Sequence, residues 1–577
     1  MLRSSRLAIA TAACAGLCVL AAPLEHTAHG ATRARRHTRH RLKPVVHGGV
    51  RPRAAAAAAA AAEDADPPEV SIGERLFLET RFAQFFAARV GSDVNRPLAF
   101  GDPVLDTLET TSGTLRGPFA GKSMNCRSCH FVDDAVSAGA RVSTYADYTT
   151  RSRIPEREDG ETRTPRNSPP LVDATLPRPA FALHFDGEFA STEGLVRGTL
   201  LGRNFGWLPT EASVAKAHIA RVVREDDGSD DLGQQYAGLP YRVLLLGTDP
   251  QIPAELRLPP AFRADVVHLG DEDTLSAVDR LIAAYVESLV FAQGDDGCFS
   301  GSPYDAFLAK NGLPCAPDNG ESAAAYADRL KAALNDLPAP LYVGASDGAF
   351  ELHDQPFKFG RDELLGLRIF LTRGDTARAS AGNCVACHTP PEFTDFSFHN
   401  TGATQEEYDA VHGTGAFAAL RVPDIAERNA QPDVYLPPSP QHPAAQAVFR
   451  HAADRSRPGQ TDLGLWNVWA NPAIPAPQSA LASALGVQGQ SPAAVLPRTL
   501  GGFKTPGLRD LGQSAPYFHT ARMAALEDAV RFYSQFSQKA RLGRVVNASP
   551  DVQRIFLSDE DVAPLAAFLR ALNEDYQ

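Results

Sequence analysis

Long hydrophobic runs are almost absent from this 577-residue sequence. One apolar stretch, Leu7 to Leu24, lies near the first residue, and no later segment is long and apolar enough to span a bilayer. Methionine is scarce: Met1, Met124 and Met523 are the only three, so chemistry needing a thioether ligand has little to draw on. Strand-like alternation is sparse, which argues against a sheet-built fold. Positive charge is also short beyond the first residues. Residues 1–53 hold ten Lys/Arg and one acid, leaving 46 basic against 67 acidic residues and a formal charge of −21 for the rest. An acidic body excludes nucleic acid as the expected partner.

What stands first is a targeting pattern. Arg3 and Arg6 precede the apolar run, and Ala28-His29-Gly30 offers a small-x-small cleavage site. Residues 1–30 read as a secretory signal peptide, with a retained membrane anchor as the alternative. After cleavage no transmembrane segment is expected, and the location is periplasmic or otherwise exported. Residues 31–66 are basic and His/Arg-rich, then carry nine alanines (Ala54 to Ala62), and read as a linker. Cys14 and Cys18 fall in the apolar run and are expected to leave with it.

Six cysteines remain, four of them in two identical patterns. Cys126-Arg127-Ser128-Cys129-His130 is one and Cys384-Val385-Ala386-Cys387-His388 the other. C-x-x-C-H is the attachment pattern of a c-type haem. Two thiols three positions apart reach the two vinyl groups on one edge of the macrocycle, and the adjacent His binds iron. A structural zinc site needs four ligands, and no matching half lies near either motif. A redox dithiol of thioredoxin type needs a βαβ context, which is lacking. Chance supplies roughly 0.003 such matches per chain of this composition. Two covalently bound c-type haems are therefore expected. Cys298 and Cys315 are expected to pair as a disulfide in an oxidising compartment.

The residues before the two motifs repeat. Ile72-Gly73-Glu74-Arg75-Leu76-Phe77-Leu78 precedes the first, and Leu365-Gly366-Leu367-Arg368-Ile369-Phe370-Leu371 precedes the second. Helical periodicity also runs through Thr274 to Leu289, Leu526 to Phe536 and Asp559 to Leu572. The expected fold is mainly α: two cytochrome c-type haem domains with long loops and insertions. Residues 67–345 form the N-terminal domain and 346–577 the C-terminal one.

Around the motifs lie Arg166-Asn167-Ser168-Pro169-Pro170-Leu171, Phe185-Asp186-Gly187, Phe503-Lys504-Thr505-Pro506-Gly507-Leu508-Arg509, Ala515-Pro516-Tyr517-Phe518-His519 and Leu526-Glu527. In this order the sequence resembles the bacterial di-haem cytochrome c peroxidase family, which includes the MauG-type enzymes. The resemblance covers most of residues 68–577, with extra length before the first motif and around 206–265 and 400–500. It implies a calcium between the haems, held by the Asn167 side chain and the Ser514 and Pro516 carbonyls. It implies Tyr533 as the far-side ligand of the second iron, with Met523 as the alternative. A Tyr ligand would stabilise ferric iron relative to Met.

Several positions depart from the family. There is no histidine between His130 and His184, so the usual switching His of the first haem is lacking. The position of the family's catalytic Glu falls on Asn204 or Phe205, and Glu188 is a nearby carboxylate that could serve. Phe185 replaces the bridging Trp and is much harder to oxidise. Tyr145 and Tyr148 could face the pocket; His184 and His519 are expected to pack or hydrogen-bond, and Trp466 and Trp469 to be core. The resemblance implies an exported peroxidase in which a small donor protein (a cytochrome c or cupredoxin) feeds the second haem and hydrogen peroxide is reduced at the first. The alternatives are a MauG-like or rubber-oxygenase-like oxidase, using peroxide or oxygen on a side chain or organic substrate, and a non-catalytic electron carrier.

Overall fold

Each half of the chain is organised by a tight crossing of two helices. The computed structural model describes residues 66–574 except 111–112, 118, 131–133, 138–139, 143–150, 295, 351–354, 375–379 and 512–513. The expected signal peptide, nearly all of the linker, and Tyr145 and Tyr148 lie outside the described residues. Helix α1 (Pro68–Phe77) packs on α4 (Asp271–Ser288), and α5 (Arg361–Leu371) packs on α7 (Val562–Arg570). Between them in sequence come α2 (Thr192–Leu200), α3 (Ala212–Glu225) and α6 (Leu526–Arg541). The fold is mainly helical. Strands are confined, among the described residues, to two-stranded pairs such as Phe398–His399 with Phe503–Lys504. Among these residues no helix is long and apolar enough to cross a membrane.

The sequence repeat has a physical cause. A Cβ at Gly73 would lie 2.1 Å from the Leu281 carbonyl oxygen, and one at Gly366 would lie 2.0 Å from that of Pro564. Both crossings bring backbone against backbone, which a side chain larger than hydrogen would prevent. Around the first, Ile72, Leu76 and Phe77 join Leu275, Val278 and Leu281 in one core; around the second, Leu367 and Phe370 join Leu565 and Phe568. The stretch expected as one helix from Asp559 starts as a tight 3-10 turn, Asp559–Asp561, and continues as α7. The Asp561 carboxylate accepts from the Ser558 N–H (2.7 Å) and hydroxyl (2.9 Å), which holds the turn before the helix begins.

The extra segments are integral to the cores. Within 206–265, α3 and the helix Tyr241–Leu246 add Ile219, Val222, Tyr241 and Leu244 to the first core. They also cover Arg75 of α1, which is fully buried, donates to Asp226 (3.0 Å) and the Leu239 carbonyl (2.6 Å), and lies 3.9 Å from the Tyr241 ring centre. The 400–500 region builds a third core around Trp466 and Trp469. There Arg428, fully buried, donates to the carbonyls of Trp466 (2.6 Å) and Trp469 (2.9 Å). Cys298 and Cys315 form a disulfide with Cα atoms 5.2 Å apart.

Candidate haem sites

Both C-x-x-C-H motifs fold as a single 3-10 turn, Cys126–Ser128 and Cys384–Ala386. In each, the His N–H reaches back to the first Cys carbonyl, at 3.1 Å for His130 and 2.8 Å for His388. The turns are locked from outside. Asn125 accepts from the Ser128 N–H (2.9 Å) and donates to the carbonyl of Leu78 at the end of α1 (2.9 Å). Asn383, at φ 50°, donates to the Asp551 carbonyl (2.9 Å). The two cysteines and the histidine of each motif are thus carried together on one short, fixed turn.

The electrostatics fit neutral ligands in dry surroundings. Burial pushes the Cys126 and Cys384 thiols up to about 12. A redox dithiol needs the opposite shift, since the thiolate is the reactive form. Burial, and then the charge of His184, lower His130 to about 4, so it stands as the free base that binds metal. His388 Nδ1 lies 3.0 Å from the Phe393 carbonyl, which as acceptor fixes the tautomer and leaves Nε2 as the ligand atom. His130 Nδ1 is buried with no such partner among the described residues. Tyr533, on α6, is half-buried, and burial followed by the neighbouring Cys387 and Cys384 raises its phenol well above the ordinary value. Tyr533 thus lies within electrostatic range of Cys387 and Cys384 of the second motif. Met523 packs on the apolar residues of the same region, and its carbonyl accepts from Tyr517 (2.8 Å).

The other expected residues are placed as follows. The Asn167 side-chain amide donates to the Pro516 carbonyl at 2.7 Å, and Ser514 is buried nearby in the chain with its hydroxyl on the Asp510 carbonyl (2.7 Å). Asn167 and Pro516 therefore meet through the amide nitrogen, while the Asn167 Oδ1 accepts from the Ser168 N–H (3.1 Å). Asn204 is half-buried in the turn Arg203–Phe205, while Phe205 is buried in the first core. Phe205 is apolar and carries no proton. Glu188 is held in an ion pair with Arg450 (3.1 Å), with His184 Nδ1 at 3.4 Å. Burial opposes its ionisation, but Arg450 and His184 prevail and hold the carboxyl well below the usual range. A carboxylate so held is a poor proton acceptor near neutral pH.

Sequence reading missed the charges that surround this segment. Arg166 bridges Asp186 (2.6 Å) and Asp462 (2.9 Å), and Arg450 also reaches Asp186 (3.1 Å). Arg450 and Asp462 come from the 400–500 region, so no local signal could have paired them with residues near 186. Phe185 gives its carbonyl to the Lys504 N–H (2.7 Å), and its ring centre is 6.4 Å from that of His519. His519 stacks on Phe503 at 3.5 Å, lies 3.1 Å from the Thr404 hydroxyl, and is lowered by burial to about 3. It is a neutral structural group. His399, unassigned from sequence, pairs with Asp395 (2.7 Å) beside Cys387; burial opposes its charge, yet these partners hold it up to about 10.

No protein-family model matches the chain. In sequence it is similar to two cytochrome-c peroxidases of Denitromonas iodatirespirans. IdrP1 is 23% identical over 201 residues (35% of this chain, 39% of that protein), and IdrP2 is 26% identical over 196 residues (33% and 36%). The matches thus span under two fifths of either relative. Among solved structures, the diheme peroxidase BthA from Burkholderia thailandensis E264 is 19% identical, with 88% of this chain and 87% of that one covered and a TM-score of 0.41. A MauG-like protein associated with microbial copper homeostasis is 15% identical, covers 88% and 90%, and has a TM-score of 0.40. The sequence matches agree with the resemblance to cytochrome c peroxidases drawn from the motifs.

Proposed function

We propose that this chain is an exported di-haem c-type oxidoreductase of the peroxidase type, reducing hydrogen peroxide with electrons from a small donor protein. The observation that carries the reading is the pair of equivalent Cys-x-x-Cys-His turns, each presenting an imidazole whose charged form burial disfavours and tied into its own half of the fold. Bound haem would supply the iron that exchanges electrons and cleaves the peroxide bond. The protein's part is ligation and surroundings. Cys126, Cys129 and His130 would hold one haem; Cys384, Cys387 and His388 the other, with Tyr533 closing its far side. Asn167, Ser514 and Pro516 would hold calcium between them, with waters completing the shell.

A second reading, a MauG-like or oxygenase-like oxidase, is favoured by Tyr533 beside the second motif and by Glu188 being occupied by Arg450. With Asn204 and Phe205 where a catalytic carboxylate is expected, no side chain there is fit to accept a proton. Rapid mixing of peroxide with the purified di-haem protein separates these readings. The peroxidase predicts sustained oxidation of a reduced small cytochrome c or cupredoxin. A long-lived spectral change without donor turnover supports the oxidase, and unchanged spectra overturn both.

A further inference from the structure

Arg178 and Lys504 are two half-buried basic side chains that form no ion pair with a carboxylate among the described residues. Arg178 donates Nη1 to the carbonyls of Ala174 (3.1 Å) and Leu176 (3.0 Å) and Nη2 to that of Ala182 (3.1 Å). Its Nε is buried with no hydrogen-bond partner among these residues. The guanidinium is pinned over the rings of Phe396 (4.1 Å) and Phe181 (4.7 Å). Lys504 Nζ donates to the same Ala182 carbonyl, at 3.2 Å. Burial lowers the lysine to about 7 and the arginine to about 10. Asp186, whose charge Lys504 feels, is already engaged by Arg166 and Arg450.

Two cations sharing one neutral acceptor repel each other and are poorly compensated, whereas buried charges are normally paired. Arg178 also ties the 174–182 segment together through its three carbonyl bonds, but the Lys504 ammonium is not needed for the strand, since the Lys504 backbone already holds the pairing with Phe398 and the bond to Phe185. The pair also lies where segment 178–185 meets the Phe396–Phe398 loop that follows the second haem motif. We infer that Arg178 and Lys504 form a binding site for a carboxylate or other oxyanion, and that its occupant is a haem propionate. The choice of occupant rests on the haem reading above; the anion site does not. An anion there would convert the repulsion into a charge-assisted clamp.

The test compares the full-length haem-loaded protein with its Lys504→Met variant by spectroelectrochemical titration of both haems. Because a nearby cation favours the reduced iron, Lys504→Met should lower at least one midpoint, Lys504→Arg should restore it, and acetate or phosphate should leave the parent unchanged. Saturable dependence of the parent's midpoints on acetate or phosphate, lost in Lys504→Met, would keep the anion site and overturn propionate as its occupant. Midpoints and anion response identical in parent and Lys504→Met overturn the site. Haem content by pyridine haemochrome separates the two layers: a parent chain without haem overturns the haem reading, and unmoved midpoints at equal haem content overturn only the clamp. Lys504→Gln takes the place of Lys504→Met if that variant fails to accumulate.

Discussion

Glu574 is 2% exposed and is raised by burial to about 8, with its Oε1 accepting from the Ala292 N–H (2.7 Å). The folded state therefore keeps a proton that the unfolded chain gives up near 4.5. Its contribution is fully present below that pH and is lost as pH rises through about 8. Denaturant unfolding of Glu574→Gln should show a flatter loss of stability between pH 6 and 8 than the parent; an unchanged slope would exclude Glu574 as its source. A second residue-scale prediction concerns Tyr533. Tyr533→Met should raise the second haem's midpoint, within the roughly 0.8 V that axial ligands span, and change its visible spectrum. Unaltered spectra would make Tyr533 a packing aromatic. Tyr533 was singled out by the family resemblance, counting from Leu526, a count that a helix preserves because it carries register along its length. Glu188 was named on proximity alone, and its partner Arg450 lies 262 residues away. Nothing in the neighbourhood of Glu188 could announce an ion pair.

At the scale of elements, the legible features were those encoded by short-range period. The apolar spacing that marked Thr274 to Leu289 corresponds to α4, and the segment from Leu526 to α6, three to five residues longer than the periodic core at one end. Gly73 and Gly366 were visible as matching letters in a repeat. Their reason was not, since Leu281 and Pro564 belong to distant helices. Gly366→Ala drives a methyl into the Pro564 carbonyl, so α5 and α7 must separate. It should cost about 1 to 3 kcal/mol as overpacking, despite alanine's better helix propensity, measured as a lower urea midpoint with haem content unchanged. A neutral or stabilising outcome would show that the crossing has room to relax. The Cys298–Cys315 loop is a simpler case: Cys298→Ala with Cys315→Ala should lose about 3 kcal/mol through the freed unfolded chain.

For the whole molecule, composition and motif order pointed to a mainly helical, two-centred protein, while the packing of the extra segments was beyond their reach. Residues 206–265 bury Arg75 of α1, and residues 400–500 supply Arg450 and Asp462 to charges carried by 166–188. Proposed calcium binding also belongs to this scale, because Asn167 and Pro516 are far apart in the chain and adjacent in space. Chelation should lower the thermal midpoint and slow any peroxide turnover, with recovery on adding calcium; the same chelation applied to Asn167→Ala should have little further effect. The placement of Arg450 has a consequence for anyone seeking a minimal version of this protein. Trimming the 400–500 region as an ornament would take Arg450 from Glu188, and would leave Arg166 and Asp186 with each other alone, without Asp462 and Arg450. Breaking a fully buried pair costs about 3 to 5 kcal/mol, and the loss at the part-exposed Glu188 is smaller. The region works as a keystone for the charges at 166–188, and a shorter chain would need a new partner or a new residue at 188 before it could stand.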